Sequence, residues 1–258
     1  MEAAQKSHIA NQHERILSLD NQLKHLKSHL PDWATVKSAK QSLVVKAKVL
    51  KPRGDFWNAV TVEISNSAGG KLQAREFPAS HWPTFCPQRH INLGGHFCLG
   101  LSEVPTVNSD NTAIRWWEIL RAHLELQFQA DATRTWPAHL EWDHGEAGDT
   151  QAEMERLASK HGMEQDVKNA HFYRVGWLAT KDLPRLTKAK DRLVNGRAPC
   201  PKGCQKRRHP ILRRKCAKRD AVFRLVKLEW QKRKQAAEFW KAVEGQPCCG
   251  QMKNCPLK

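Results

Sequence analysis

The stretch Ile91–Leu99, INLGGHFCL, decides how this chain is read. Two adjacent glycines, Gly94 and Gly95, allow a tight turn just ahead of Cys98, and Phe97 and Leu99 flank the thiol with apolar anchors. A thiolate is a strong nucleophile and a good leaving group, so a thiol framed in this way can accept an acyl group and pass it on. The surrounding residues 78–110 are dense in Pro, Gly and Asn and carry no clear period. A long irregular stretch inside a folded domain is usually functional. Cys86, in a strand-like Phe-Cys between prolines, reads as a structural thiol.

The flanks are regular. Residues 8–30 predict an amphipathic helix, with Ile9, Ile16, Leu23 and Leu30 seven residues apart, Leu19 and Leu26 between them, and Pro31 as the stop. Strands are expected over Leu43–Leu50, Trp57–Ile64 and Lys71–Phe77, joined by the turn-rich segments KPRGD and NSAGG. After the irregular stretch, residues 111–130 predict a helix with Trp117, Leu120, Leu124 and Phe128 on one face, capped by Asp110 or Asn111. Trp82, Trp116 and Trp117 read as core. Further on, a helix is expected over 150–160, a short strand over Phe172–Ala179 and a helix over 182–194. One long or two shorter basic helices follow over about 210–244.

Charge and cysteine divide the chain. Its 258 residues carry a net +17, yet Arg197–Lys234 alone hold 15 Lys and Arg against Asp220 and Glu229, leaving +4 for the rest. Six of the eight cysteines lie at or beyond Cys200. Three segments are therefore expected: a catalytic domain over 1–150, a connecting segment over 151–196, and a basic, cysteine-rich extension over 197–258. No apolar run approaches the ~18–20 residues that span a bilayer, and the start MEAAQKSHIANQHERIL is polar. These features predict a soluble cytoplasmic protein with no membrane partner.

INLGGHFCL resembles the active-site segment of ubiquitin-conjugating (E2-like) enzymes, where His-Pro-Asn and Ile lead through a glycine-containing turn to a hydrophobic residue, Cys and Leu. Ile91, Gly95 and Phe97-Cys98-Leu99 match that pattern without gaps. The resemblance covers about residues 8–135. It implies an α+β fold: a helix, a four-stranded antiparallel meander whose fourth strand falls near Phe85, the Cys98 loop and a helix behind it. It implies that Cys98 forms a thioester. The family's His-Pro-Asn falls on Gln88-Arg89-His90, so His90 would replace the Asn that steadies the loop and the oxyanion, with Asn92 as a second choice. An imidazole N–H can donate to such an oxyanion. Asp131, 33 residues beyond Cys98, matches the family's acidic residue that helps an acceptor amine lose its proton.

The absence of His-Pro-Asn and the presence of a cysteine-rich appendage are similar to bacterial members found beside cyclic-oligonucleotide synthases in anti-phage (CBASS) systems. That implies a partner C-terminus, from a ubiquitin-like protein or the synthase itself, carried on Cys98. In the tail, Cys200, Cys204, Cys249 and Cys255 are expected to hold a structural zinc as paired knuckles. A local site with His209 and Cys216, or no metal, remains open. A different reading makes the chain a non-catalytic module whose basic tail binds nucleic acid or an acidic partner.

Overall fold

The computed structural model describes residues 20–258 apart from 52–53, 68–69, 101–103, 138–139, 141, 190–191, 195–197, 199, 201–204, 207–208 and 211–214, with backbone only at 205–206 and 209–210. Two compact units emerge. The first holds the described residues up to Trp136 together with Pro247–Pro256 and Lys258; the second holds Pro137–Gln246 and Leu257. This division places the last cysteines with the first unit rather than with the 197–258 extension expected from charge.

In the first unit a short helix α1 (residues 20–28) leads into an antiparallel meander in the order β1 (Ala34–Ala39), β2 (Leu43–Ala47), β3 (Val60–Asn66) and β4 (Leu72–Glu76). Side chains alternate across a strand, so Leu43, Val45, Ala47, Val60, Val62, Ile64, Leu72 and Ala74 all turn to one face and are buried. Helix α2 (Asp110–Thr133) covers that face with Trp116, Trp117, Leu120, Leu124 and Phe128. Burying one such leucine contributes about 1.5–3 kcal/mol. Ser109 and Thr112 close a reciprocal capping box that starts α2. Leu26 of α1 is fully buried, and its carbonyl accepts from Trp117 Nε1 at 3.0 Å. Trp82, Trp116 and Trp117 are core, as expected. Residues 8–19 of the expected first helix lie outside the described residues.

The meander has four strands, but not the four expected. Rather than a strand near Phe85, the fourth strand is β1, which precedes the three expected ones and pairs with β2. Its sequence, ATVKSA, is only weakly apolar because it is an edge strand, with a register irregularity between Val36 and Ser38. Near Phe85 there is only an isolated bridge, Cys86 to Ile91.

The second unit packs α3 (Glu146–His161) and α4 (Glu164–Phe172) with the long basic helix α5 (Arg219–Ala242) over Met154, Leu157, Val167, Leu178, Val222, Leu225 and Val226. The strand expected over Phe172–Ala179 does not form. Phe172 ends α4, Gly176 takes a positive φ of 89°, and Tyr173 and Val175 are exposed. Nor do the described residues of 182–194 form the helix expected there. Leu186 bridges Leu193, with Thr187 N donating to Arg192 O and Val194 N to Arg185 O. Its leucine stripe is realised by this pairing, which still buries Leu183 and Leu193. Among the described residues, no helix is long and apolar enough to cross a membrane.

Candidate active site

Cys98 sits on a frame of two consecutive turns. The first is a hairpin: Cys86 N donates to Ile91 O at 2.9 Å and Ile91 N returns to Cys86 O at 3.0 Å. Pro87–Arg89 form a single 3₁₀ turn, which Pro87 favours by its fixed φ, and His90 closes it in the left-handed region at φ 52°. The second turn is Leu93–Gly95. Gly94 and Gly95 both have φ 80°, which explains the glycine pair, and Gly95 N donates to Thr84 O at 2.7 Å. Phe97 is then driven into the core, where its ring meets Trp82 edge-on and lies 5.0 Å from His123; its N–H donates to Ala74 O of β4. Cys98 follows, half-buried, with its N–H bonded to His90 O at 2.7 Å. Burial pushes the Cys98 thiol above its ordinary pKa, and a backbone hydrogen bond from Gly100 to the sulfur works against that shift.

The hairpin is tied to α2 by Arg89, a residue the sequence reading passed over. Its side chain is 1% exposed. Arg89 Nε donates to Gln127 Oε1 at 3.0 Å, Nη2 donates to Gln127 O at 2.9 Å and to Asp131 Oδ1, and Nη1 donates to Gln251 Oε1. Gln127 Nε2 donates back to Arg89 O and to His123 Nε2. An arginine can be buried only when its donors are met in this way. The signal was present in outline: His123, Gln127 and Asp131 stand four residues apart, a polar stripe on one face of α2. Nothing in the sequence said that Arg89 would fill it.

The expected site residues are disposed as follows. Cys98 and His90 are brought together, and their described contact runs through the His90 carbonyl, while the buried imidazole lies 4.9 Å from the Trp136 ring. Asp131 is engaged by the 81–89 segment: besides Arg89 it accepts from Trp82 Nε1 at 2.9 Å, and His81 Nε2 lies 3.1 Å away. Asn92 is exposed, and its N–H donates to His96 O. His96, two residues before Cys98, has its pKa lowered by burial and by Arg75, with Glu63 opposing.

Of the four expected zinc ligands, Cys200 is buried in the second unit, Cys249 and Cys255 belong to the first, and Cys204 lies outside the described residues. Cys249 instead meets Cys86, Sγ to Sγ 3.1 Å. Among the described residues no three His, Cys, Asp or Glu side chains converge to hold a metal ion. The backbone at His209 pairs with Lys206, in the small hairpin of β5 (Gln205–Lys206) and β6 (His209–Pro210).

Residues 32–138 match the family model of the prokaryotic E2 domain. That region is E2-like. Residues 143–257 match the cysteine-rich domain found C-terminal to E2 domains, so the E2-like protein carries a cysteine-rich extension whose thiol content is compatible with zinc. The two matches meet close to the junction of the two compact units at Trp136. No curated protein and no solved structure matches the chain. The E2-like match includes the hairpin, the double-glycine turn and Cys98.

Proposed function

We propose that this E2-like protein is a thioester-forming transferase with Cys98 as its nucleophile. The observation that carries the reading is a half-buried thiol at the end of a rigid double turn inside a prokaryotic E2 domain. The Cys98 thiol gives up its proton, and its sulfur attacks the activated C-terminal carbonyl of a partner protein. The activating group leaves and a thioester forms. An amine then attacks the same carbonyl and expels the Cys98 thiolate, leaving an amide. Because burial opposes the thiolate, the Gly100 N–H is an important counterweight.

The partner we favour is a ubiquitin-like protein or the C-terminus of a cyclic-oligonucleotide synthase, whose conjugation would prime the nucleotidyltransferase in bacterial antiviral defence. Asp131 and Arg89 serve as positioning residues that hold the hairpin beneath Cys98. Co-expression with such a partner should give a covalent adduct that dithiothreitol removes. The adduct should persist in Cys86→Ala and vanish in Cys98→Ala. Survival of the adduct in Cys98→Ala would sink the proposal.

A second reading rests on Arg224, Lys227, Lys234 and Lys241, which are exposed along α5 and suit nucleic acid or an acidic partner. Two of them already have acidic neighbours, Arg224 with Glu153 and Lys234 with Glu238. A steep fall in nucleic-acid affinity of the full chain with salt would support this reading. Zinc in the cysteine-rich domain, with Cys200 and Cys204 among its ligands, would show as metal retained through gel filtration.

A further inference from the structure

We propose that Cys86 and Cys249 are a thiol–disulfide exchange site that reversibly locks the Pro247–Pro256 segment onto the hairpin beneath Cys98. The two sulfurs lie 3.1 Å apart. Two thiolates on one tetrahedral zinc stand about 3.8 Å apart, and a disulfide needs about 2.05 Å, so a movement of roughly 1 Å completes the bond.

The proximity is imposed from both sides. Cys86 is fixed by its paired hydrogen bonds with Ile91 at the base of the hairpin and is 1% exposed. Cys249 is fixed by the residues that follow it: Arg134 Nη2 donates to Gly250 O at 2.7 Å, Arg134 Nε to Gln251 O at 3.2 Å, and Lys253 N to Arg134 O at 2.9 Å. Neither sulfur is on a loose end. The neighbouring thiols are arranged differently. Cys248 Sγ accepts from Gly250 N, and Cys255 is buried.

Accessibility orders the chemistry. Cys249 is half-buried and reaches solvent, whereas Cys86 is almost wholly buried. A low-molecular-weight disulfide is therefore attacked first by the Cys249 thiolate, releasing one small thiolate and leaving a mixed disulfide. The Cys86 sulfur, losing its proton to solvent, then attacks the Cys249 sulfur and expels the second small thiolate. Both cysteines are oxidised and the small disulfide is reduced to two thiols. Cys86 also stands five residues before Ile91 in the hairpin that presents the His90 carbonyl to Cys98 N, so the lock acts on the frame of the nucleophile.

The test uses full-length Cys98→Ala protein, so that no adduct at Cys98 enters the result and the outcome is independent of the thioester reading. It is incubated with oxidised glutathione, alkylated with N-ethylmaleimide and digested. The expected result is a Cys86–Cys249 linked peptide that dithiothreitol reverses. The oxidised protein should melt several degrees higher than the reduced protein, and that rise should be lost in Cys249→Ser and kept in Cys248→Ser. Alkylation of Cys86 in the oxidised sample, or a link mapping to Cys248 or Cys255, would overturn the proposal. So would stoichiometric zinc in the untreated protein that Cys249→Ser releases.

Discussion

The backbone N–H of Cys98 donates to the carbonyl oxygen of His90 across 2.7 Å. Cys98 is thereby fixed to the hairpin, and the hairpin to α2 by Arg89. The bond also occupies the Cys98 N–H, so in the proposed transfer the oxyanion must be met by other donors. It assigns His90 a backbone role in the position where the E2 resemblance has an asparagine. His90 holds φ 52°, a region that Asn, Asp and His visit several-fold more than other non-glycine residues.

His90→Asn should therefore fold and keep Cys98 adduct formation within a few-fold, since the left-handed turn and its carbonyl survive. His90→Val should be strained at that φ, cost roughly 1–2 kcal/mol in denaturant unfolding, and slow adduct formation. Loss of activity in His90→Asn with unchanged stability would point instead to the imidazole beside Trp136.

Gly100 has φ 108° with open space where a Cβ would stand, so Gly100→Ala acts through backbone strain alone. Displacing its N–H from the Cys98 sulfur removes an influence that lowers the thiol's pKa. Alkylation of Cys98 should be slow at neutral pH, rise with pH beyond the ordinary thiol range, and in Gly100→Ala shift to still higher pH by a measurable fraction of a unit. The iodoacetamide rate against pH reads this directly. An unshifted profile would remove Gly100 from the mechanism.

The sequence made the double-glycine turn ahead of Cys98, the β2–β4 pattern and α2 legible, because each rests on a local period or on a conformation only glycine takes easily. It hid β1, whose edge position tolerates a weakly apolar ATVKSA. It also hid the pairing of Leu186 with Leu193, whose leucine spacing imitates a helix. Arg89 was hidden for a different reason: a buried arginine is specified by partners 38 to 162 residues away, Gln127, Asp131 and Gln251, and no local pattern reports them. The Cys86–Cys249 contact spans 163 residues and was invisible on the same grounds.

Asp131 has two candidate roles that a single variant separates. As a positioning residue it neutralises buried Arg89 and accepts from Trp82, so Asp131→Ala should destabilise the protein by about 3 kcal/mol or more, the cost of leaving a buried charge unpaired. Formation of the Cys98 adduct and transfer from it should then fall together. As a proton acceptor for the incoming amine it would leave loading intact and slow transfer alone. We expect the first pattern; single-turnover loading and discharge, measured beside the unfolding midpoint, distinguish them.

The acid limb of stability should carry the signature of His123. Burial, with the Arg89 guanidinium adding to it, holds its imidazole neutral and lowers the pKa to about 3 from the ordinary 6.5. Gln127 Nε2 donating to His123 Nε2 requires the same neutral form. In the unfolded chain this histidine takes up a proton as pH falls through 6.5, while the native protein refuses it until about pH 3. The unfolded state thus binds more protons across that window, and stability must fall as pH drops through it. His144 in the second unit, lowered to about 4 chiefly by burial, adds a smaller contribution of the same sign. Denaturant midpoints measured from pH 7 to pH 4 should decline steadily, and His123→Gln should flatten the slope even though it lowers stability at pH 7. A wild-type midpoint independent of pH across this range would mean that His123 is protonated in the native state.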